Sequence, residues 1–399
     1  MEPWRKNLYI LWSTQFISML GMSFIVPFLP FFIRELGVTN EDELARWSGL
    51  AFAGPFIISF FMVPIWGWLG DRYGRKLMVV RATYGLAASQ VLIGLSQNVE
   101  QLFFFRVLQG SVSGFIAAAL ALTSATTPKD RTGYAIGVLQ TATAAGTMVG
   151  PMVGGTLADA FGFRPIFFIV AAMFVINGIF VIKGVKEVRT DEDQPQRYRL
   201  IDNYTYALAA PNIRLALILI VCAQMAIGMV QPIFALFVEL LEVSKDYLAT
   251  ITGVIFSIAG VFTVLSAPWW GKRNDRVGYR RNLLVACSIA GVTYIAHAAA
   301  FHALVLIPLR AALGLCLGGI IPPLFSFISK HTEGDRRGAI MGIASSFYIL
   351  ANIVGPVSGG YIAAHLGIRA SFIASGAMLL FTTLLVWKFL FDMAGPTGG

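Results

Sequence analysis

A chain of 399 residues with 57% hydrophobic and only 13% charged side chains is too apolar to be a soluble globular protein. Its formal charge of +9 sits on segment ends rather than in a basic patch, which points to anionic lipid and away from nucleic acid. Cys222, Cys287 and Cys316 all fall inside apolar segments, so they make neither a disulfide framework nor metal-ligand spacing.

The first apolar segment runs over 8–33 and carries Gln15. It is too long for a signal-peptide core and has no small-residue cleavage site behind it, so it is expected to remain as a span. The second, 47–69, leads into Gly67-Trp68-Leu69-Gly70-Asp71-Arg72-Tyr73-Gly74-Arg75-Lys76. The third covers 77–96. The fourth, 101–125, contains Arg106-Val107-Leu108-Gln109-Gly110. The fifth, 133–157, carries Gln140 and then Gly146, Gly150-Pro151 and Gly154-Gly155. The sixth, 164–185, opens on Arg164. A polar stretch over 187–211 reads as a cytoplasmic linker with a short surface helix. Six more segments follow at 212–238, 247–270, 283–301, 304–328, 338–363 and 369–391. The predicted domains are therefore 1–186, a linker, and 212–399.

The second six repeat the first at an offset of 204 or 205. Gly271, Asp275, Arg276, Gly278 and Arg280 answer Gly67, Asp71, Arg72, Gly74 and Lys76. Arg310 and Gly314 answer Arg106 and Gly110. Gly355-Pro356 and Gly359-Gly360 answer Gly150-Pro151 and Gly154-Gly155. Arg369 answers Arg164. Matches in order at one offset indicate a duplicated unit, and duplicated membrane units are how many transporters obtain two halves around a central site. The fold class expected is all-α: twelve transmembrane helices in two pseudo-symmetric six-helix bundles.

Lys and Arg set the orientation. Arg72, Arg75, Lys76, Lys129, Arg131, Lys183, Arg276, Arg280, Lys330 and Arg336 share one set of ends. The opposite ends carry few bases beyond Arg34, Arg46, Arg164, Lys245 and Arg369 and are acidic instead, with Glu35, Glu41, Asp42, Glu43, Asp159, Glu239 and Asp246. Both termini and the linker are expected to be cytoplasmic.

The loop over 67–76, Arg106-x-x-Gln109-Gly110 and the Gly146 to Gly155 pattern together resemble the major facilitator superfamily over almost the whole chain. The fifth-span pattern, with Pro27-Phe28-Leu29-Pro30 and Glu35-Leu36-Gly37, resembles its bacterial multidrug efflux members. The resemblance implies export of small amphipathic compounds driven by proton influx, in a bacterial inner membrane, with no cofactor and no enzymatic step. A monomer is expected, its partners being a small-molecule substrate, protons and the bilayer.

The residues have physical readings of their own. A carboxylate at Asp71 can face the positive N-terminal end of the eleventh helix near Gly338, and Asp275 the fifth near Gly133. With Arg72, Arg75 and Arg276 they are gating candidates. Gly146, Gly150, Pro151, Gly154, Gly355, Pro356 and Gly359 make smooth surfaces for close helix packing and are expected to form a deformable seam where the two halves meet. Arg106 and Arg310 lie about a turn and a half below one membrane face, so each should meet a cavity or a partner. Coupling to protons and binding of an anionic substrate both remain open for them. Gln15, Gln140, Gln224, Gln231, Tyr348 and Asn352 are polar groups deep in spans and are further candidates for the substrate path. No Asp, Glu or His lies in the middle third of any span, which leaves export of a polyanionic metabolite, such as a siderophore or organic acid, as the alternative.

Overall fold

The structure, a computed structural model, describes residues 2–185 and 200–390, without the side chains of Pro3, Asp71, Leu200 and Ile201. Every regular element among them is helical. The first half holds α1 (Pro3–Ile25), α2 (Leu29–Glu35), α3 (Glu41–Tyr73), α4 (Arg75–Gly94), α5 (Val99–Ser111), α6 (Phe115–Thr126), α7 (Thr132–Phe161) and α8 (Phe163–Gly184). The predicted surface helix is α9 (Leu200–Ala209). Then come α10 (Pro211–Val230), α11 (Phe234–Leu240), α12 (Leu248–Val277), α13 (Tyr279–Ala298), α14 (Ala303–Leu317), α15 (Ile321–Lys330), α16 (Arg337–Leu366) and α17 (Ile368–Phe389).

Eleven helical stretches among the described residues are long and apolar enough to cross a bilayer. α13 is also 20 residues long, but its first turn, Tyr279-Arg280-Arg281-Asn282, dilutes its apolar character. The chain is a multi-pass membrane protein. Several helices run past the apolar segments that announced them, because their ends carry their own signals. α3 begins at Glu41, where the Asn40 side chain accepts from the backbone of Asp42 (2.9 Å) and Glu43 (3.1 Å). Its first turn, Glu41-Asp42-Glu43, suits the positive end of the helix.

The duplication has a physical counterpart in the breaks and joints. The first span breaks at a short 3-10 turn, Val26–Phe28, around Pro27, and the seventh breaks at Gln231–Ile233 around Pro232. α3 passes to α4 through Gly74 (φ 110°) and α12 to α13 through Gly278 (φ 84°). Only glycine adopts that backbone without strain, which explains why both copies keep it.

Two compact units can be distinguished. One comprises 1–194 and 232–257, the other 195–231 and 258–399. In the first, α1 packs on α7 and α8, and α4 on α8. In the second, α10 packs on α16 and α17, and α13 on α17. These are the same pairings between repeat-equivalent helices. Small residues set their distance: a Cβ on Gly150 would lie 2.5 Å from Ser23 Cβ, and one on Gly355 would lie 2.7 Å from the Met225 carbonyl oxygen. Gly146, Gly150 and Gly154 bring α7 onto α1, and Gly355 and Gly359 bring α16 onto α10, each within its own unit. Pro151 and Pro356 sit inside unbroken helices.

Candidate functional site

The polar residues named from the sequence form two layers, one in each unit. In the first, Gln15 of α1 is fully buried and donates through Nε2 to Thr143 Oγ1 of α7 (3.0 Å). Thr143 donates on to Gln140 Oε1 (3.4 Å), and Gln140 is exposed. One turn away, Trp12 Nε1 donates to Thr141 Oγ1 (3.0 Å). The helical spacing of Trp12 and Gln15, and of Gln140, Thr143 and Thr147, puts these groups on one stripe. Gln15 Oε1 has no hydrogen-bond partner among the described residues, leaving an acceptor for a ligand or water.

In the second unit, Gln224 of α10 donates to Asn352 Oδ1 of α16 (3.1 Å), and Asn352 Nδ2 donates to the Tyr348 carbonyl (2.9 Å). The Tyr348 ring meets Phe325 edge-on, with centroids 6.3 Å apart. Gln231 lies in the 3-10 turn after α10 and is half-buried. The two layers are not repeat copies: position 220, equivalent to Gln15, is Ile.

Arg106 is tied into its own bundle. Its Nε donates to the Ala51 carbonyl of α3 (3.0 Å) and its Nη1 to Gln109 Oε1 (2.9 Å). The guanidinium therefore joins α5 to α3, and Gln109 of the same motif orients it. Arg106→Gln is expected to loosen this joint by about 2 kcal/mol, since hydrogen bonds from a charged donor are lost. Thermal unfolding in detergent reads the change, and an unaltered midpoint would remove the structural role. Arg310 is 6% exposed, in an environment that includes Tyr294 and His297 of α13. His297 is fully buried, donates through Nδ1 to the Thr293 carbonyl (2.7 Å) and stacks on Phe372 at 5.8 Å.

Among the gating candidates, the Asp71 side chain lies outside the described residues. Arg72 is exposed beside the Trp68 and Tyr73 rings, at 5.8 and 5.6 Å. Arg75 Nη1 reaches the Ala121 carbonyl at 3.4 Å. Asp275 accepts from Lys330 (3.2 Å), and both side chains are exposed. Arg276 is exposed at the end of α12.

A cluster that the sequence marked only as end charges stands out in the first unit. Arg34 of α2 donates through Nη1 to both carboxylate oxygens of Glu239 on α11 (2.8 and 3.0 Å), and through Nη2 to Glu41 (3.0 Å). Asp159 of α7 accepts from the Ala249 and Thr250 backbone amides (3.1 and 2.7 Å) at the start of α12. Its carboxylate thus sits on the positive end of that helix, where an anion is stabilised. Beside it opens a cavity of about 740 Å³, lined by Phe31, Arg34, Glu35, Asp159, Phe163 and Lys245 among others. The signal that could have found the pair is the offset itself. Position 34 plus 205 is 239, so repeat-equivalent positions carry opposite charges.

The profile of the family described as Major Facilitator Superfamily matches residues 11–305 and 216–399. A protein of Escherichia coli O17:K52:H18 (strain UMN026 / ExPEC) named multidrug resistance protein MdtG is 34% identical over 388 residues, covering 97% of this chain and 95% of its own. The protein of the same name from E. coli strain K12 / DH10B matches to the same extent. Among solved structures, a bacterial homologue of the human lysosomal transporter Spinster superposes with a TM-score of 0.80 at 16% identity, over 99% of this chain and all of that one. The nucleoside transporter NupG superposes with a TM-score of 0.79 at 11% identity, over 96% of this chain and 98% of that one.

Proposed function

Because this chain belongs to the major facilitator superfamily, we propose that it exports small amphipathic compounds, drugs among them, by alternating access and in exchange for protons. It is a membrane transporter rather than an enzyme, and the multidrug resistance relatives, aligned over nearly its full length, support drugs as the cargo. The alternating-access part is supported chiefly by the Arg34–Glu239 and Asp159–α12 contacts. They join segments of the two sequence repeats through groups that water can solvate when they part. Such contacts can be made and broken in a cycle, whereas an apolar seam of the same size would hold. Asp71, Arg72, Arg75, Asp275 and Arg276 are the counterpart at the basic ends.

In this proposal the spans number twelve, in two bundles over 1–186 and 212–399 with 187–211 between them. Both termini face the cytoplasm of a bacterial inner membrane, a reading that the Lys and Arg placement supports, and the protein works as a monomer. The cargo meets Gln15, Gln140, Gln224, Gln231, Tyr348 and Asn352 on amide and phenol groups between apolar walls, a surface that orients many ligands and commits to none. Export of a polyanion is the weaker reading, because Arg106 already donates to Ala51 and Gln109.

The test is uptake of a fluorescent cationic dye by everted membrane vesicles. Accumulation should follow an imposed proton gradient and vanish with an uncoupler. Dye accumulation that ignores the gradient would remove proton exchange. A polycarboxylate carried in place of any cationic dye would replace the proposed cargo.

A further inference from the structure

The fourth span is broken. α5 ends at Ser111 and α6 begins at Phe115, with Gly114 at φ +99° between them. A broken helix leaves carbonyls without their amide partners. Two side chains take them up: Trp66 Nε1 donates to the Ser111 carbonyl (2.7 Å) and Arg81 Nη2 to the Ser113 carbonyl (3.0 Å). The tenth span breaks in the same place, between α14 and α15, and there Trp270 Nε1 donates to the Leu315 carbonyl (2.6 Å). Trp270 is the repeat copy of Trp66. The copy of Arg81 is Val285. The break itself therefore does not require an arginine.

Arg81 brings more donors than the break uses. Its guanidinium carbon lies 3.5 Å from the centroid of the Trp66 ring. Its Nε and Nη1 are buried without a hydrogen-bond partner among the described residues, and so is the Ser113 hydroxyl. Buried donors of this kind are ordinarily satisfied by protein, water or ligand. A cavity of about 230 Å³ opens beside them, lined by Arg75, Arg81, Gly67, Gly70 and Met78 and floored by Gly114 and by Ala117, Ala118 and Ala121 of α6. No carboxylate is among its described lining residues. Gly67 and Ala117 at its rim are exposed, so the cavity is reachable from outside the bundle.

We propose that this cavity binds a phosphate group, as a monoester or diester. Two guanidinium groups line one space, and the tetrahedral oxygens of a phosphate group can meet donors arriving from more than one side, where a carboxylate offers two in one plane. The Trp66 ring fixes the Arg81 plane, so little side-chain freedom is lost when the anion arrives. Arg81 lies six residues into α4, about 9 Å from Arg75 along the helix axis at 1.5 Å per residue. If the basic ends are cytoplasmic, as in the proposed orientation, that depth matches the headgroup layer of the inner leaflet. A phospholipid headgroup and a soluble phosphate ester share this chemistry. Either would bridge α3, α4 and α6 behind the loop over 67–76.

Binding can be measured on delipidated protein in detergent, without transport and without assuming orientation. Short-chain phosphatidylglycerol is titrated and followed by native mass spectrometry and thermal unfolding, with glycerol phosphate and inorganic phosphate in parallel arms. Binding of the lipid alone assigns the site to the leaflet; equal competition by glycerol phosphate assigns it to a soluble ester. Arg81→Gln should weaken binding about tenfold, the loss of a charged donor. Arg131→Gln, which removes an exposed charge elsewhere, should change it less than about twofold. Ala118→Leu fills the cavity without altering charge and should match Arg81→Gln, which guards against a folding defect in the latter. Overturning results are absence of binding in all three arms, or wild-type affinity in both Arg81→Gln and Ala118→Leu. A chain that binds phosphate but moves no dye keeps this site and loses the proposed transport; one that moves dye without binding phosphate does the reverse.

Discussion

Gly359→Val is expected to abolish the folded protein. A Cβ at that position lands on the Met229 carbonyl oxygen of α10, and backbone cannot rotate out of the way as a side chain can. Overpacking against side chains costs about 1–3 kcal/mol. Here α16 must part from α10 along the seam, so the loss should exceed that range. Gly154→Val should behave alike, since its Cβ would meet the Phe24 carbonyl oxygen of the first unit. Gly342→Val is the control, because nothing lies within 4 Å of a Cβ there. The measurements are membrane expression, monodispersity in detergent and thermal unfolding. A folded Gly359→Val with the wild-type midpoint would show that the helices are not held by this approach.

Arg34→Glu should produce the second largest effect, on transport more than on stability. The Arg34 and Glu239 side chains are 31% and 29% exposed, so losing the pair costs the fold only about 1 kcal/mol. Reversing the charge does more, because it gathers carboxylates around Glu239, Glu41 and Glu35. If the contact closes one face during the cycle, Arg34→Glu should lower the initial rate of dye uptake about tenfold, equivalent to about 1.4 kcal/mol. A cysteine reporter placed at Phe163 beside the cavity should become more accessible. The decisive variant is the swap, Arg34→Glu with Glu239→Arg, which restores attraction and should restore most of the rate. A swap as slow as the single reversal would mean that the two residues do not act as a pair.

The helical fold was legible because lipid imposes a long apolar run on each span, and because glycines at joints and seams cannot be replaced without strain or collision. Gly74 and Gly278, or Gly150 and Gly355, are readable for that reason. The break in the fourth span was not, although its counterpart in the tenth carries Gly318-Gly319 and Pro322-Pro323. Ser111-Val112-Ser113-Gly114 has no proline, and its glycine falls four residues after Gly110, a spacing that reads equally well as helix packing. What stabilises the break is Trp66, 45 residues away. Arg106 was recognised as special, but its partners were invisible, because the Ala51 carbonyl belongs to backbone and leaves no mark on the sequence. Arg34 and Glu239 were both in view and were read singly, as charges on the same, acidic set of span ends. Comparing charge at repeat-equivalent positions, rather than identity alone, would have paired them.

The composition of the first unit has a consequence for how the chain is made. Residues 232–257 complete it, although they follow the whole of α9 and α10. Until they leave the ribosome, Arg34 lacks Glu239, Asp159 lacks the amides of Ala249 and Thr250, and Gly155 lacks the backbone it packs against. The nascent first half is thus inserted with its acidic-end polar groups still in water, and it becomes finished only when part of the second half arrives. Cutting the gene between the repeats would leave the first without the partners that residues 232–257 supply.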